Sequence, residues 1–419
     1  MPKIETGDHP TEPRHSRGYE YSIVALLLLF WGIVGLTRVG LGAIFPYIVP
    51  EFHMAYWQAG LLVSGTSITW AFSSWIGGWL SDRFGRRKLL LPAAGLTALT
   101  TAAMGGAWSF LSMFVVRDLM GIGEGVGWSV GEAVTHEESA PHRRAMNQGI
   151  FTAGYTLIGA GVGIIFITRL SHVIGWRWVF VIIGIAAAII SVLLALIMRE
   201  PAKREQTETI DWHMAVRLLK NRSILILTII GCVILAWLQV NIAFNMLFLT
   251  HIRHFTIVEG GAILSAWGIA GAVGQLIIPK ISDYLGRRVT IAICALIATV
   301  MMALYLIAGF GEFGMLLLQG IGGFFAWGHL PVSIATCVSE NSSERERATA
   351  LGITNFFAVI FGTSVMPVVG GIVADHLGLT TAMWIPVVSQ AVVALLIFAV
   401  AETAPRVLAR RGMVAVAAE

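Results

Sequence analysis

Two arginines and a glutamate lie deep inside apolar stretches of the chain. Arg38 stands alone among apolar residues in Gly35-Leu36-Thr37-Arg38-Val39-Gly40. An ionisable group inside a membrane span costs about 2.5–3.5 kcal/mol on insertion scales and therefore points to function. A permanently charged guanidinium can hold a carboxylate through two parallel hydrogen bonds, or it can bridge two helices. A later stretch is denser, running from Arg117-Asp118 through Gly121, Glu124 and Trp128 to Glu132. Helical steps of four, three, four and four put Arg117, Gly121, Glu124, Trp128 and Glu132 on one stripe, with Asp118 about 100° away. That stripe must face a cavity or another helix, because lipid would be prohibitive. Glu124 sits where a buried carboxyl can take up and release a proton, with Arg117 and Asp118 as its partners in proton coupling. A static Arg117–Glu124 bridge across Gly121 is the alternative. Glu132 is expected to pair with a loop base such as Arg143.

Neutral polar side chains interrupt the later apolar stretches: Gln239, Asn241, Asn245, Gln275, Trp327, His329 and Asn355. Each can contact a substrate or act as interhelical glue. His329 can serve a substrate or a proton, or be a satisfied packing histidine. Tyr155 can cap the same cavity. His251, Arg253 and His254 mark a span end or an outer gate.

These side chains need elements to position them, and composition says which. Of 419 residues, 56% are hydrophobic and 12% charged, with a mean hydropathy of +0.78. A soluble chain carries about 25% charged residues. A soluble enzyme, a disordered chain and a secreted disulfide scaffold are thereby excluded. Cys232, Cys294 and Cys337 all fall in apolar runs, so no disulfide or metal framework is expected, and no cofactor. Twelve apolar runs, near 22–49, 56–80, 88–107, 110–134, 147–170, 177–198, 223–250, 258–280, 289–309, 313–338, 349–373 and 380–401, predict an all-α membrane protein of twelve spans. The longest polar stretch, Arg199 to Arg222, divides six-helix bundles at 22–198 and 223–402, flanked by tails at 1–21 and 403–419. A short surface helix is expected over Asp211 to Leu219. Apart from Arg38 and Arg117 inside runs and Arg169, Arg177 and Arg253 at opposite ends, the 28 Lys and Arg residues fall on one side. Basic residues accumulate in the cytoplasm, so both termini are expected there. The first 20 residues lack the apolar core and cleavage site of a secretory signal, and the first span is expected to direct insertion.

The two halves repeat a loop. Gly78-Trp79-Leu80-Ser81-Asp82-Arg83-Phe84-Gly85-Arg86-Arg87 reappears as Pro279-Lys280-Ile281-Ser282-Asp283-Tyr284-Leu285-Gly286-Arg287-Arg288. The first copy resembles the signature loop of the major facilitator superfamily. That resemblance implies two bundles rocking about a central site, with Asp82, Arg83, Gly85, Arg86, Asp283, Gly286 and Arg287 gating the motion. Physically, Asp82 can accept from Arg86 or from a helix N-terminus in one state only, and Gly85 permits the tight turn. Arg117 and Gly121 are similar to the fourth-helix motif associated with proton coupling. Gly123-Glu124-Gly125-Val126, followed by Ala140-Pro141 and Arg144, resembles the anion:cation symporter family, which includes sialic-acid, vesicular glutamate and bacterial sugar-acid transporters. In that family a first-helix arginine, here Arg38, contacts the anion, and a fourth-helix acid, here Glu124, handles the proton. Thr37 stands where bacterial sugar-acid members often carry aspartate, and Ser129 where a proline is usual. Glu402-Thr403-Ala404-Pro405-Arg406 looks like the exit of bacterial metabolite:proton symporters.

Three motifs mislead. Gly127-Trp128-Ser129-Val130-Gly131 lies within a helix rather than at a nucleophile turn. No strand precedes the glycines from 121 to 127, and His136-Glu137-Glu138 lacks a second histidine. The expected function is proton-coupled symport of a small organic anion (a monocarboxylate, aromatic acid or sugar acid) across the cell membrane by a monomer in the lipid bilayer. A proton-driven exporter of drugs or lipophilic cations is the alternative, as is an anion exchanger. Neither an enzyme nor a nucleic-acid partner is expected.

Overall fold

The computed structural model describes residues 16–201, 217–343 and 346–410. Almost all of the described residues are helical. The N-terminal half carries α1 (Arg17–Ala43), α2 (Tyr56–Phe84), α3 (Arg86–Met104), α4 (Phe110–Glu138), α5 (Pro141–Ile174) and α6 (Trp176–Ile197). The C-terminal half carries α7 (Arg222–Ile252), α8 (Ile257–Leu285), α9 (Arg287–Ile307), α10 (Glu312–Glu340), α11 (Thr349–Leu377) and α12 (Leu379–Ala399). Among the described residues nine of these, α1 and α5 to α12, are long and apolar enough to cross a membrane. The other three, α2, α3 and α4, span 29, 19 and 29 residues but carry more charged and polar side chains. The surface helix expected over Asp211 to Leu219 falls mostly outside the described residues. The first apolar run is broken, because α1 ends at Ala43 and a separate short helix, Phe45–Glu51, begins with Pro46 in its first turn.

Local chemistry sets the helix starts. Ser16, Ser109, Asn221 and Thr256 accept from backbone N–H groups in the first turns of α1, α4, α7 and α8, satisfying donors that the helix itself cannot. At the repeated loops, Gly85 and Gly286 adopt φ of +108° and +103°, a region that L side chains rarely enter. Each glycine ends one helix and starts the next within a single residue. Glutamates from the ends of the two halves meet the new starts. Glu402 accepts from Arg287 N–H at 2.9 Å and Arg288 N–H at 3.1 Å, and Glu200 accepts from Arg87 N–H at 3.4 Å. A carboxylate at a helix N-terminus is stabilised by the exposed amides and the helix dipole.

The halves meet through α1 with α7, α2 with α11, and α5 with α8. Their named close approaches all lie in the helix halves remote from the Asp82 and Asp283 loops. Gly42 abuts the Ile242 carbonyl, Gly60 the Pro367 carbonyl and Gly268 the Ala160 carbonyl, so no side chain would fit at these crossings. Asp375, near the end of α11, caps the start of α2 from the other half. Its carboxylate oxygens accept from Tyr56 N–H at 2.8 Å and Trp57 N–H at 3.0 Å, and Tyr56 Oη lies 3.3 Å from His251 Nδ1. At the Arg-rich end a cavity of about 950 Å³ opens beside α2, α3, α4 and α5.

This contact gives a prediction. Asp375→Ala removes both caps and destabilises the closure at this end by about 0.5–1 kcal/mol, the range of a partly exposed cap. Spin labels on the remote ends of α2 and α11 should then show a larger long-distance population than in wild type.

Candidate functional site

The glycine ladder of α4 determines which helices can approach it. A side chain at Gly121 would meet the Thr66 carbonyl at 2.6 Å, and one at Gly125 would meet the Trp70 carbonyl. The α2 backbone therefore lies directly on α4, and its residues are brought against α1. In the resulting interior Arg38 Nε–H donates to Glu124 Oε2 at 2.6 Å. Glu124 is fully buried and Arg38 is 14% exposed. The other Glu124 oxygen accepts from Thr37 Oγ1 at 3.1 Å. Arg117 does not bridge to Glu124 in this arrangement. Its Nη1–H donates to the Thr37 carbonyl at 3.1 Å and its Nε–H to the Leu62 carbonyl at 3.4 Å. Thr37 thus ties the two arginines and the glutamate into one cluster.

The cluster is not saturated. Arg38 Nη2 is buried without a hydrogen-bond partner, as are Thr66 Oγ1 and Trp70 Nε1. Arg38 Cζ lies 5.5 Å from the centre of the Trp70 ring. A cleft of about 10 Å³, room for no more than a water, is lined by Arg38, Val63, Thr66, Arg117, Gln239 and Ile242. Buried N–H groups without acceptors are rare in folded proteins. Unmatched donors around a cation make a site for an oxyanion. Gln239 is the C-terminal half's contribution to this cleft.

The other candidates divide between the edge of this cluster and the rest of the fold. Tyr155 is near Arg38, Glu124 and Arg117 and its ring lies 5.9 Å from Trp31. Asn241 donates to the Trp237 carbonyl, and Asn245 receives the Tyr305 hydroxyl at 2.6 Å, so both point into the C-terminal bundle. Trp327 packs 5.1 Å from Trp267 and 5.9 Å from Trp237 there. His329 is buried between α10 and α12, with Ser333 Oγ 3.1 Å from Nδ1 and Gln390 Oε1 3.0 Å from Nε2. Asn355 is exposed on α11. Asp118 lies on the α2 side of α4 near Gly65. Gln275 accepts from Thr156 at 3.1 Å across the two halves.

At the Arg-rich end the repeat is chemical as well as sequential. Arg86 pairs with Asp82 at 2.6 Å and Glu137 at 2.9 Å, and Arg287 pairs with Asp283 at 2.6 Å and Glu340 at 2.9 Å. Ser81 accepts from Arg86 and Ser282 from Arg287, each at 2.5 Å. Arg83 lies over Phe84 and lines the large cavity with Lys88, Ser129, Glu132 and Arg144. Arg143 does not reach Glu132. It pairs with Glu20 at 2.5 Å, which also accepts from Asn147 at 2.7 Å. Glu137 and Glu340 were legible from overlaying the repeat, since they follow their arginines by 51 and 53 residues. Trp70 and Thr66 carried no such signal.

Residues 27–362 match the Major Facilitator Superfamily. A hexuronate transporter of Bacillus subtilis is 29% identical over 46% of this chain and 45% of its own, so that match spans about half the relative. A probable 4-methylmuconolactone transporter of Cupriavidus pinatubonensis is 24% identical over 81% of each chain. A cis,cis-muconate transport protein of Acinetobacter baylyi is 28% identical over 73% of this chain and 76% of its own. In fold, the chain resembles the crystal structure of a bacterial homologue of the human lysosomal transporter Spinster, with a TM-score of 0.78, 17% identity, and coverage of 92% of this chain and 97% of that one. The chain is a multi-pass membrane protein of the Major Facilitator Superfamily, a transporter and not an enzyme.

Proposed function

We propose that this protein is a proton-coupled symporter of small organic anions, working by alternating access through twelve spans with both termini in the cytoplasm. One observation carries the reading: Arg38 gives one face of its guanidinium to Glu124 and holds a second N–H group empty. An arriving carboxylate competes for that guanidinium. Once Arg38 turns to it, Glu124 would be left charged, unpaired and fully buried, which is strongly unfavourable. Taking up a proton removes that penalty. The anion and the proton therefore favour each other's binding, and by linkage the coupling is reciprocal. When the anion leaves, Arg38 returns to Glu124 and expels the proton.

Closure at the remote ends and the cavity at the Arg-rich end fit a transporter open to the cytoplasm. In the opposite state Asp82 would leave Arg86 for a helix start in the other half. The three relatives are named as a hexuronate transporter, a probable 4-methylmuconolactone transporter and a cis,cis-muconate transport protein, which favours a carboxylate cargo here. A cation exporter is disfavoured because Arg38 and Arg117 outnumber Glu124 in the cluster. An anion exchanger would use Arg38 in the same way but would not need Glu124 to titrate.

The shared arginine makes three predictions. In proteoliposomes Arg38→Ala should weaken carboxylate binding by on the order of 100-fold or more, the value of two charge-assisted hydrogen bonds. Arg38→Lys should recover part of this, since it keeps the charge but loses the fork. Glu124→Gln should spare binding and counterflow of labelled anion while abolishing accumulation driven by a pH gradient. Affinity in wild type should rise as pH falls, until the anion's own carboxyl protonates near pH 4, whereas the Glu124→Gln protein should show a flat profile. Normal accumulation by the glutamine variant would contradict the coupling role and favour the exchanger.

A further inference from the structure

Between the Arg38–Glu124 pair and the large cavity stands a group of aromatic side chains that the carboxylate site itself does not require. Four helices contribute to it. Trp128 of α4, one turn beyond Glu124, lies 4.5 Å from Trp31 of α1, 5.4 Å from Phe151 of α5 and 6.5 Å from Trp70 of α2. Tyr155, one turn from Phe151, lies 5.9 Å from Trp31. The rings form two layers. Phe151 and Trp31 are buried at 0% and 7% exposure, and they fix the orientation of those in front. Trp70, Trp128 and Tyr155 are only half-buried.

By position along α2, α4 and α5, this front layer lies between the site and the residues that line the large cavity. Trp70 faces the Arg38 guanidinium, while Ser129 and Glu132, next to Trp128 and one turn past it, line the 950 Å³ cavity. A molecule whose carboxylate reaches Arg38 must lay the rest of its length, one to two helical turns or about 6–10 Å, along these rings. The corresponding trio in the other half, Trp237, Trp267 and Trp327, is at most 4% exposed and fills its own bundle. Of the two groups, the N-terminal rings are therefore the ones with surface left to meet a ligand.

We infer that the cargo's carbon skeleton is planar and conjugated, an aromatic or polyene carboxylate, held face-on by Trp70, Trp128 and Tyr155 while Arg38 holds its carboxylate. This rests on the reading that Arg38 binds an anion. Ring faces attract another π system in offset or edge-on geometry beyond what burial alone provides. They supply no hydrogen bonds to a polyhydroxylated chain, whose buried hydroxyls need partners one by one. The one N–H group of this layer buried without a partner, Trp70 Nε1, lies at the Arg38 end, where it can donate to the carboxylate rather than to the skeleton.

The test compares benzoate with cyclohexanecarboxylate, which match in size and charge but differ in π character, with glucuronate as a polyol. Dissociation constants are measured on purified full-length protein by isothermal titration calorimetry. Wild type should prefer benzoate to cyclohexanecarboxylate by about 2–12-fold, and glucuronate should bind weakest. Trp70→Leu and Trp128→Leu should each bring the first ratio towards one, by weakening benzoate more than cyclohexanecarboxylate, and retained binding of the latter shows that the variants are folded. Trp128→Phe should restore most of the preference. Equal affinity for the two ring acids in wild type, or a preference that survives both leucine variants, would overturn the aromatic wall and leave the anion site intact. Failure of every carboxylate to bind wild type would instead overturn the anion site, and this inference with it.

Discussion

A carboxylate placed fully inside a membrane bundle must either be paired or be neutral. Glu124 is 0% exposed, and its charge is matched by Arg38 at 2.6 Å. The surrounding architecture serves that pairing. Glycines along α4 let α2 lie against it, Thr37 bonds to Glu124 with its hydroxyl and to Arg117 with its carbonyl, and Arg117 spends its donors on backbone oxygens. The net positive cluster that results has unfilled donors and a narrow cleft. In the function we propose, these groups receive an anion that comes and goes. A second glutamate would have balanced the charge, but it would also have removed the reason for an anion to bind.

The two halves share a frame and differ in their interiors. Each has a positive-φ glycine turn, an Asp–Arg–Glu relay at its Arg-rich end and a glutamate on the next helix start. The N-terminal interior holds the charges. The C-terminal interior holds a tryptophan trio and a chain of amides ending on Tyr305. In this state each relay is paired within its own half, so motion between the halves is opposed chiefly where they meet. What must change lies at the crossings of α1 with α7, α2 with α11 and α5 with α8. There the contacts are backbone against backbone at one end, with Asp375 as a fastener between α11 and α2.

Much of this was readable from the chain alone, and the limits are physical. An arginine or glutamate amid apolar residues stands out, so Arg38, Arg117 and Glu124 were identifiable. Their pairing was not, because spacing relates residues on one helix. It offered Arg117 and Glu124, seven apart, while the bond formed joins residues 86 apart on different helices. The amides of α7 show the same limit. Gln239 and Asn241 are two residues apart, so they point about 200° away from each other, and only the neighbouring helices decide which one meets Arg38. His329 was ambiguous until Gln390 and Ser333 were seen around it. The relay glutamates lay hidden among other acids, although the repeat carried enough regularity to find them. Trp70 was one of 14 tryptophans, and nothing in its surroundings along the chain set it apart from an interfacial belt.

The central claim is that one guanidinium is passed between Glu124 and the cargo, so that binding the anion moves a proton. Proton uptake on binding tests this without transport. Benzoate, or whichever carboxylate binds tightest, is titrated calorimetrically near neutral pH in buffers of different ionisation enthalpy, which counts the protons taken from solution. The account predicts close to one proton per anion for wild type and none for Glu124→Gln, with the anion still binding to both. Binding to wild type without proton uptake, or equal uptake by the two proteins, would contradict it.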